Sequence, residues 1–240
     1  AHGIYNAYIN GKKASDFILA PGTSQYNARL QYQTYDVSGL LNVGKNEILV
    51  TVGDGWWRGD TGYGGVRNSF GIDLAILCQL EIDRKTVLIS DKSWSASQEG
   101  PLGLNDLMQG ECYDARKENI CEWHPVTEKQ FGYENLVCSN SFDVVEKENY
   151  TGKQIHTPNG EVVIDFGQNI AGYVKFGFYA QAGQCITLYH GECLDQNGNF
   201  TQENFQAPEH RVEQCVKYIC KEGWNEYKPE KSIFGFRYIK

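Results

Sequence analysis

Apolar residues recur at every second position through much of this chain. Ile48, Val50 and Val52 share one face of a run whose opposite face carries Leu49 and Thr51. From Leu74 to Ile82 the alternation holds over nine residues, with Leu74, Ile76, Cys78, Leu80 and Ile82 on the dry side and Gln79 and Glu81 on the wet side. The same pattern returns at Val174, Phe176 and Phe178, at Ile186 and Leu188, and at Val212, Gln214, Val216 and Tyr218. Ile4–Asn10 and Phe234–Lys240 read as two further strands. A two-residue period places alternate side chains on opposite faces of a strand, and no long stretch carries the 3.6-residue period of a helix. Turn chemistry separates the runs: Asn10-Gly11, Gly44-Lys45-Asn46, Asp83-Arg84, Pro158-Asn159-Gly160 and Gln196-Asn197-Gly198. Asn-Gly directly after a strand is a strong hairpin signal, because both residues tolerate positive φ.

Many short strands at this spacing predict an all-β protein built from two consecutive antiparallel β-sandwich, jelly-roll-like domains. Glycine thins out after Gly110, and the chain turns polar and irregular from Asn119 to Asn149 before strands resume at Val162. The expected division is a first sandwich over residues 1–118, a connector over 119–149 with a strand near Phe142–Val145, and a second sandwich over 150–240. A strand at each extremity and a single methionine, Met108, suggest a segment of a longer polypeptide whose first sandwich is truncated at its start.

Length and composition narrow the classes. At 240 residues and 41% hydrophobic content, the chain can bury real cores. Its net charge of −8 argues against nucleic acid, which rewards clustered Lys and Arg. No basic amphipathic stretch suggests a membrane surface, and no run approaches the roughly 18 apolar residues of a membrane span. Eight cysteines occur without a C-x-x-C pair, so a tetrahedral zinc site has little support. They read as free thiols in a reducing compartment, which places the chain in the cytoplasm. Asn149-Tyr150-Thr151 and Asn199-Phe200-Thr201 match the glycosylation sequon by pattern alone.

The densest chemistry lies in the stretch from Gly53 to Asn68, where six glycines, three aromatics and four charged residues follow a strand. Glycine at that density holds a loop in conformations other residues resist. Trp56, Trp57 and Tyr63 supply flat faces, and Asp54, Arg58, Asp60 and Arg67 supply hydrogen bonds. A pyranose presents an apolar C–H face and a rim of hydroxyls, which that mixture matches. The plainer alternative is an ordered loop whose tryptophans roof a β-core, with Arg58 and Arg67 paired to Asp60 or Asp73.

Other motifs carry less. The loop lacks the Gly-Lys-Ser/Thr of a phosphate cradle and the βαβ frame of a dinucleotide site. Asp195–Asn199 superficially resembles a calcium loop, but its glycine stands fourth rather than sixth, as a hairpin turn would have it. Glycoside hydrolysis needs two carboxyls flanking one bond. The nearest candidates, Glu111 and Asp114, read more simply as partners of Arg116. The five histidines show no ligand spacing, and no Ser or Cys sits in a nucleophile elbow. No residue of the chain is expected to be catalytic.

Several strings in order resemble one family. Tyr8-Ile-Asn-Gly-Lys12, Leu19-Ala-Pro-Gly22, Tyr32-Gln-Thr-Tyr-Asp-Val37 and Gly53-Asp-Gly-Trp-Trp-Arg-Gly59 are followed by Leu77–Glu81, Ser93-Trp94, Gly100-Pro101 and Gly110–Arg116. They are similar to the amino-terminal β-sandwich module of bacterial α-L-rhamnosidases. Asp165–Val174, Gly191–Asp195 and Phe234–Tyr238 resemble the second sandwich of the same enzymes.

The resemblance implies a parent glycosidase that releases terminal α-L-rhamnosyl residues with inversion. Its acid and base would lie on a following α/α barrel, and the two sandwiches would scaffold that barrel. Partners implied are rhamnose-containing glycosides and the downstream barrel. Asp54, Trp56, Trp57, Arg58, Asp60 and Asn68 become the candidate carbohydrate contacts, with Asp54 on hydroxyls and Trp56 or Trp57 stacking. No cofactor is required. In some relatives the first module is similar to one that holds rhamnose through calcium, but Gly55 stands where those relatives have asparagine, a departure that weighs against both sugar and calcium. Asp165–Val174 reads as a contact surface or as a buried turn in which Gln168 and Asn169 satisfy backbone groups. A stand-alone lectin-like module and a purely structural module that forms a homodimer are the rival functional classes.

Overall fold

The computed structural model describes every residue except Tyr63, so the role expected for that ring lies outside the described residues. Strands dominate. In chain order they are β1 (Ile4–Ile9), β2 (Lys12–Lys13), β3 (Leu30–Tyr32), β4 (Ile48–Gly53), β5 (Gln79–Ile82), β6 (Lys85–Ile89), β7 (Ser95–Ala96), β8 (Leu102–Asp106) and β9 (Gly110–Asp114). They continue with β10 (His124–Pro125), β11 (Leu136–Cys138), β12 (Lys153–His156), β13 (Val162–Gly172), β14 (Phe176–Ala180), β15 (Cys185–Gly191), β16 (Cys215–Ile219), β17 (Gly223–Tyr227) and β18 (Phe234–Ile239). One α-helical turn, α1 (Gly55–Arg58), follows β4. No helix among the described residues is long and apolar enough to cross a membrane.

The chain packs as two compact units, neither continuous in sequence. The first comprises residues 1–58, 68–100 and 119–146, and the second 59–67, 101–118 and 147–240. Residues 101–118, expected at the end of the first sandwich, therefore belong to the second, and most of the expected connector belongs to the first. Strand pairing is the cause. In the connector, β10 pairs with β7 and β11 runs parallel to β3, Leu136 opposite Leu30. The connector's longer strand thus falls at Leu136–Cys138, not at Phe142–Val145; Phe142 is fully exposed.

In the first unit β1 lies between β2 and β4, all antiparallel. The β1–β2 turn is Asn10-Gly11 with φ of 51° and 75°, the backbone that Asn-Gly accepts at least strain. Asp83 and Arg84 make the analogous turn between β5 and β6 at φ of 50° and 62°. The alternating run 74–82 is a strand only over its last four residues. Its beginning pairs elsewhere, Ala75 with His2, and Cys78 exchanges hydrogen bonds with Ser90. Alternation marks a face; it does not say how many partners share it.

The second unit is a sandwich. Its seven-stranded sheet runs β12-β13-β18-β15-β16-β9-β8, and the β14–β17 pair packs on it. Val216, Phe234, Phe236 and Ile239 are buried beneath Phe176, Leu188 and Tyr227, and Tyr218 and Cys220 are buried beneath Phe178, Ala180 and Ile186. Asn225, wholly buried, accepts from the Tyr218 hydroxyl and Lys221 N and donates to the Lys221 and Gly223 carbonyls. Each buried polar group of that amide is paired, which fixes the β16–β17 turn. In β13 the register against β18 shifts between Asp165 and Ile170. The intervening Gln168 and Asn169 are exposed, correcting the buried turn expected there. Asp165 organises it instead, accepting from Gly167 N and, in a two-pronged ion pair, from Arg237.

His190 sits in this core with no exposed surface, stacked on Phe234 at 3.8 Å. Its Nδ1 lies 2.9 Å from the Gln214 carbonyl, so it is the protonated nitrogen of the neutral ring. Burial lowers its pKa to about 4. A histidine with a depressed folded pKa stabilises the fold above its unfolded value, and that contribution is lost as pH falls. Between pH 6.5 and 4 the loss should reach about 3 kcal/mol, at about 1.4 kcal/mol per pH unit. The urea midpoint of the protein should therefore fall relative to that of His190→Phe on acidification. Parallel pH profiles would show that His190 is not the titrating group.

Candidate functional site

The glycine loop begins where β4 ends. Gly53 pairs with Ile4, and at Gly55 (φ +50°) an added methyl would lie 2.5 Å from the Ile4 side chain. Only glycine fits this turn into α1. Asp54, 5% exposed, accepts from Arg58 Nε at 2.6 Å, four residues on, and Arg58 Nη1 donates to the Ile72 carbonyl. Arg58 thus pairs with Asp54 and not with Asp60 or Asp73; Asp73 pairs with Lys129. Trp57 stacks on the His2 ring at 3.7 Å and 9°, meets Tyr26 edge-on at 5.6 Å, and lies against Phe70. From below, Gly71 approaches so closely that a methyl there would lie 2.7 Å from the indole. Trp57 is a half-buried side chain packed among three rings, with a buried, unbonded Nε1. Trp56 is half-buried, and Asn68, at φ +60°, is exposed while its N–H closes the loop onto the Arg58 carbonyl.

Asp60 belongs to the second unit, where it joins residues that composition alone did not select. Asp106, with no exposed surface, accepts from Asp60 N at 2.8 Å and Arg67 Nη1 at 2.7 Å on one oxygen. Its other oxygen accepts from Met108 N and Gln109 N. Asp60 accepts from Gln109 Nε2 at 2.7 Å and, more weakly, from Arg67 at 3.4 Å. His210 Nε2 also lies 3.4 Å from Asp60, off the line of a hydrogen bond, with its ring against Gly65. Two carboxylates therefore share one guanidinium, and each oxygen faces a donor. A glycosidase pair requires carboxyls open to substrate, and these are 5% and 0% exposed. The arrangement clamps the loop.

The remaining carboxyl candidates divide. Asp114 accepts from Arg116 Nε and Nη2 at 2.9 and 2.8 Å and from Arg116 N; the Arg116 hydrogen bonds hold its pKa below the usual range. Glu111 has a different setting. It is 1% exposed and accepts from the Tyr227 hydroxyl and from Lys231 N, each at 2.5 Å. Burial pushes its pKa up, against the opposing effect of those donors. Its neighbours pack it as part of the sandwich interior. Among the described residues no three His, Cys, Asp or Glu side chains gather as metal ligands.

Of the six candidate contacts, the structure thus brings Asp54 and Arg58 together, packs Trp57 among His2, Tyr26 and Phe70, leaves Trp56 and Asn68 at the loop, and puts Asp60 in the carboxylate clamp. Asp106 carried one local sign, the Asp followed by a tight turn to Gly110; its bond to Arg67 spans 39 residues and carried none.

The fold is all-β, with two compact units of which the second is a β-sandwich. Two family models match in succession: the α-L-rhamnosidase N-terminal domain over residues 1–154 and the bacterial α-L-rhamnosidase concanavalin-like domain over 155–240. The chain belongs to the α-L-rhamnosidase family. It is 32% identical to an α-L-rhamnosidase of Streptomyces avermitilis and 30% identical to one of Formosa agariphila, in both cases across the whole chain but over only 24% and 27% of the relative. Among solved structures it is similar to native α-L-rhamnosidase from Aspergillus terreus, with a TM-score of 0.90, 32% identity, and coverage of all of this chain and 29% of that one. It is also similar to the S. avermitilis enzyme complexed with L-rhamnose, with a TM-score of 0.89, 30% identity, and coverage of 99% of this chain and 24% of that one. The chain thus spans about a quarter of the length of these relatives.

Two outcomes follow from the site. Trp57→Ala should destabilise the first unit by about 3–5 kcal/mol, the range for a large aromatic removed from a packed site; a loss under 1 kcal/mol in urea unfolding would contradict the packing role. Glu111 has a raised folded pKa, so its contribution is present below the ordinary carboxylate value and lost as pH rises through the raised one. Glu111→Gln should accordingly gain stability relative to the unmodified protein between pH 5 and pH 8. A relative loss over that interval would mean that the ionised form is the one the fold favours.

Proposed function

We propose that this chain is the non-catalytic front portion of an α-L-rhamnosidase that hydrolyses terminal α-L-rhamnosyl residues. Its two sandwiches scaffold an α/α barrel further along the same polypeptide, and the barrel supplies the acid and base. The observation that carries this reading is the ordered succession of two rhamnosidase domain matches over all 240 residues. The local chemistry supports it, since Asp60, Asp106 and Glu111 are buried against donors and Asp114 is locked to Arg116. The substrate class is rhamnose-containing glycosides, and the scaffold role needs no cofactor.

Within the glycine loop, sugar contact falls to Trp56 and Asn68, with Asp54, Trp57 and Arg58 as the frame that presents them. We place the protein in a reducing compartment such as the cytoplasm, because all eight cysteines are unpaired and Cys121, Cys138 and Cys185 are exposed.

The test is hydrolysis of p-nitrophenyl α-L-rhamnopyranoside. The 240-residue chain should release no nitrophenolate, and a longer polypeptide that continues into the barrel should release it. Turnover by the 240-residue chain itself would overturn the assignment.

A further inference from the structure

The outer face of the β14–β17 pair carries an aromatic corner that neither the sandwich core nor the carboxylate clamp uses. Tyr179 and Trp224 stand directly opposite in the ladder, with ring centroids 5.1 Å apart and planes at 65°. Tyr179 is 80% exposed and Trp224 48%. Large apolar rings at that exposure, adjacent and angled, need an explanation that a lone surface aromatic does not.

The corner is held in place from beneath. On the inner face of the same strands, Phe176, Phe178 and Tyr227 pack into the core, and buried Asn225 fixes the turn that leads into Trp224. On the outer face the indole leans over Gly177, where an added methyl would lie 2.8 Å from its ring. Glycine at 177 therefore lets the indole lie down along the sheet. Gly177 is paired with Glu226, whose carboxylate bonds Lys175 Nζ at 2.6 Å. Lys175, and to a lesser degree Trp224, hold the Glu226 carboxyl below the usual range. The rim beside the rings is thus a charged, hydrogen-bonding pair in which both side chains remain about half exposed or more, at 63% for Lys175 and 49% for Glu226.

We propose that Tyr179 and Trp224 form a stacking platform for the pyranose ring of a carbohydrate, with Glu226 and Lys175 facing its hydroxyls. Size selects this occupant. Two partly covered rings offer at most about 150–250 Å² each, whereas a stable protein interface needs about 800 Å² from each partner. Chemistry selects it as well. An interface core is depleted of Lys and Glu, and here they border the rings directly, while a sugar needs an apolar surface and a polar rim side by side. Rigid rings on an ordered sheet also lose little freedom on binding. The platform rests on its own geometry and does not depend on which glycosidic bond the whole protein cleaves.

The experiment is saturation-transfer NMR on the 240-residue chain with methyl α-L-rhamnopyranoside and methyl α-D-glucopyranoside. It is paired with Trp224 indole N–H shifts and with the variants Trp224→Ala, Tyr179→Ala and Trp123→Ala, each checked for an unchanged urea midpoint. At least one glycoside should transfer saturation through its ring C–H protons and move the Trp224 resonance. Either platform variant should weaken that binding about tenfold, in line with an aromatic contact of about 1.4 kcal/mol, and Trp123→Ala, at an exposed tryptophan outside both the platform and the glycine loop, should leave it intact. Three results would overturn the proposal: no contact with either glycoside, binding that survives both platform changes, or a concentration-dependent mass that Trp224→Ala abolishes, which would make the corner a contact between copies. Should Trp224→Ala alone unfold the chain, Tyr179→Ala and the indole shift still decide.

Discussion

The second unit depends on one backbone contact. β9 runs parallel to β16, with Gly110 opposite Cys215, and a methyl at Gly110 would lie 1.9 Å from the Cys215 carbonyl oxygen. At φ +109°, only glycine permits that approach. The pairing joins residues a hundred positions apart, and its consequences are chemical as well as architectural. It carries β8 into the same sheet, and with it Asp106 at the strand's end. It also turns Glu111, the very next residue, into the interior beside Tyr227 and Lys231. A carboxyl that local sequence pairs with Arg116 thereby becomes a buried acid.

Carboxylates in this chain are sorted by what the backbone places around them. Asp106 and Asp60 lie close together, yet each oxygen meets an N–H or the Arg67 guanidinium, so both buried groups are satisfied. Glu111 accepts from Tyr227 and Lys231 N, and desolvation outweighs those donors and the Lys231 charge. The first setting anchors a loop and the second fills a core. A general acid needs what neither offers, a raised pKa together with an opening towards solvent.

What could be read from the chain before its structure follows the range of the interactions involved. The Asn10-Gly11 and Asp83-Arg84 turns were legible, because φ tolerance belongs to the residues themselves. So were the all-β class and the inner faces at Phe176, Phe178, Val216 and Tyr218, because a two-residue period needs no knowledge of the partner. The extent of the run 74–82 was not, since it divides between His2 and β6. Nor was the composition of each unit, which the β9–β16 and β3–β11 pairings decide. Arg67–Asp106 and Tyr227–Glu111 were invisible for the same reason. Those pairs are 39 and 116 residues apart, and nothing local distinguishes them from any other arginine or tyrosine.

Trp57 and Trp224 show the limit of residue type as evidence. Each lies over a glycine, Gly71 and Gly177, whose missing side chain makes room for an indole. The glycine-rich setting drew attention to Trp57, but His2 covers its other face at 3.7 Å and Tyr26 and Phe70 close its edges. Trp224 stands in an ordinary strand, where one exposed tyrosine meets it at an angle and half of the residue remains open to water. A ring can serve recognition only when the fold leaves one face uncovered. That condition is set by cross-strand register, Tyr179 against Trp224, rather than by the density of glycine or charge nearby.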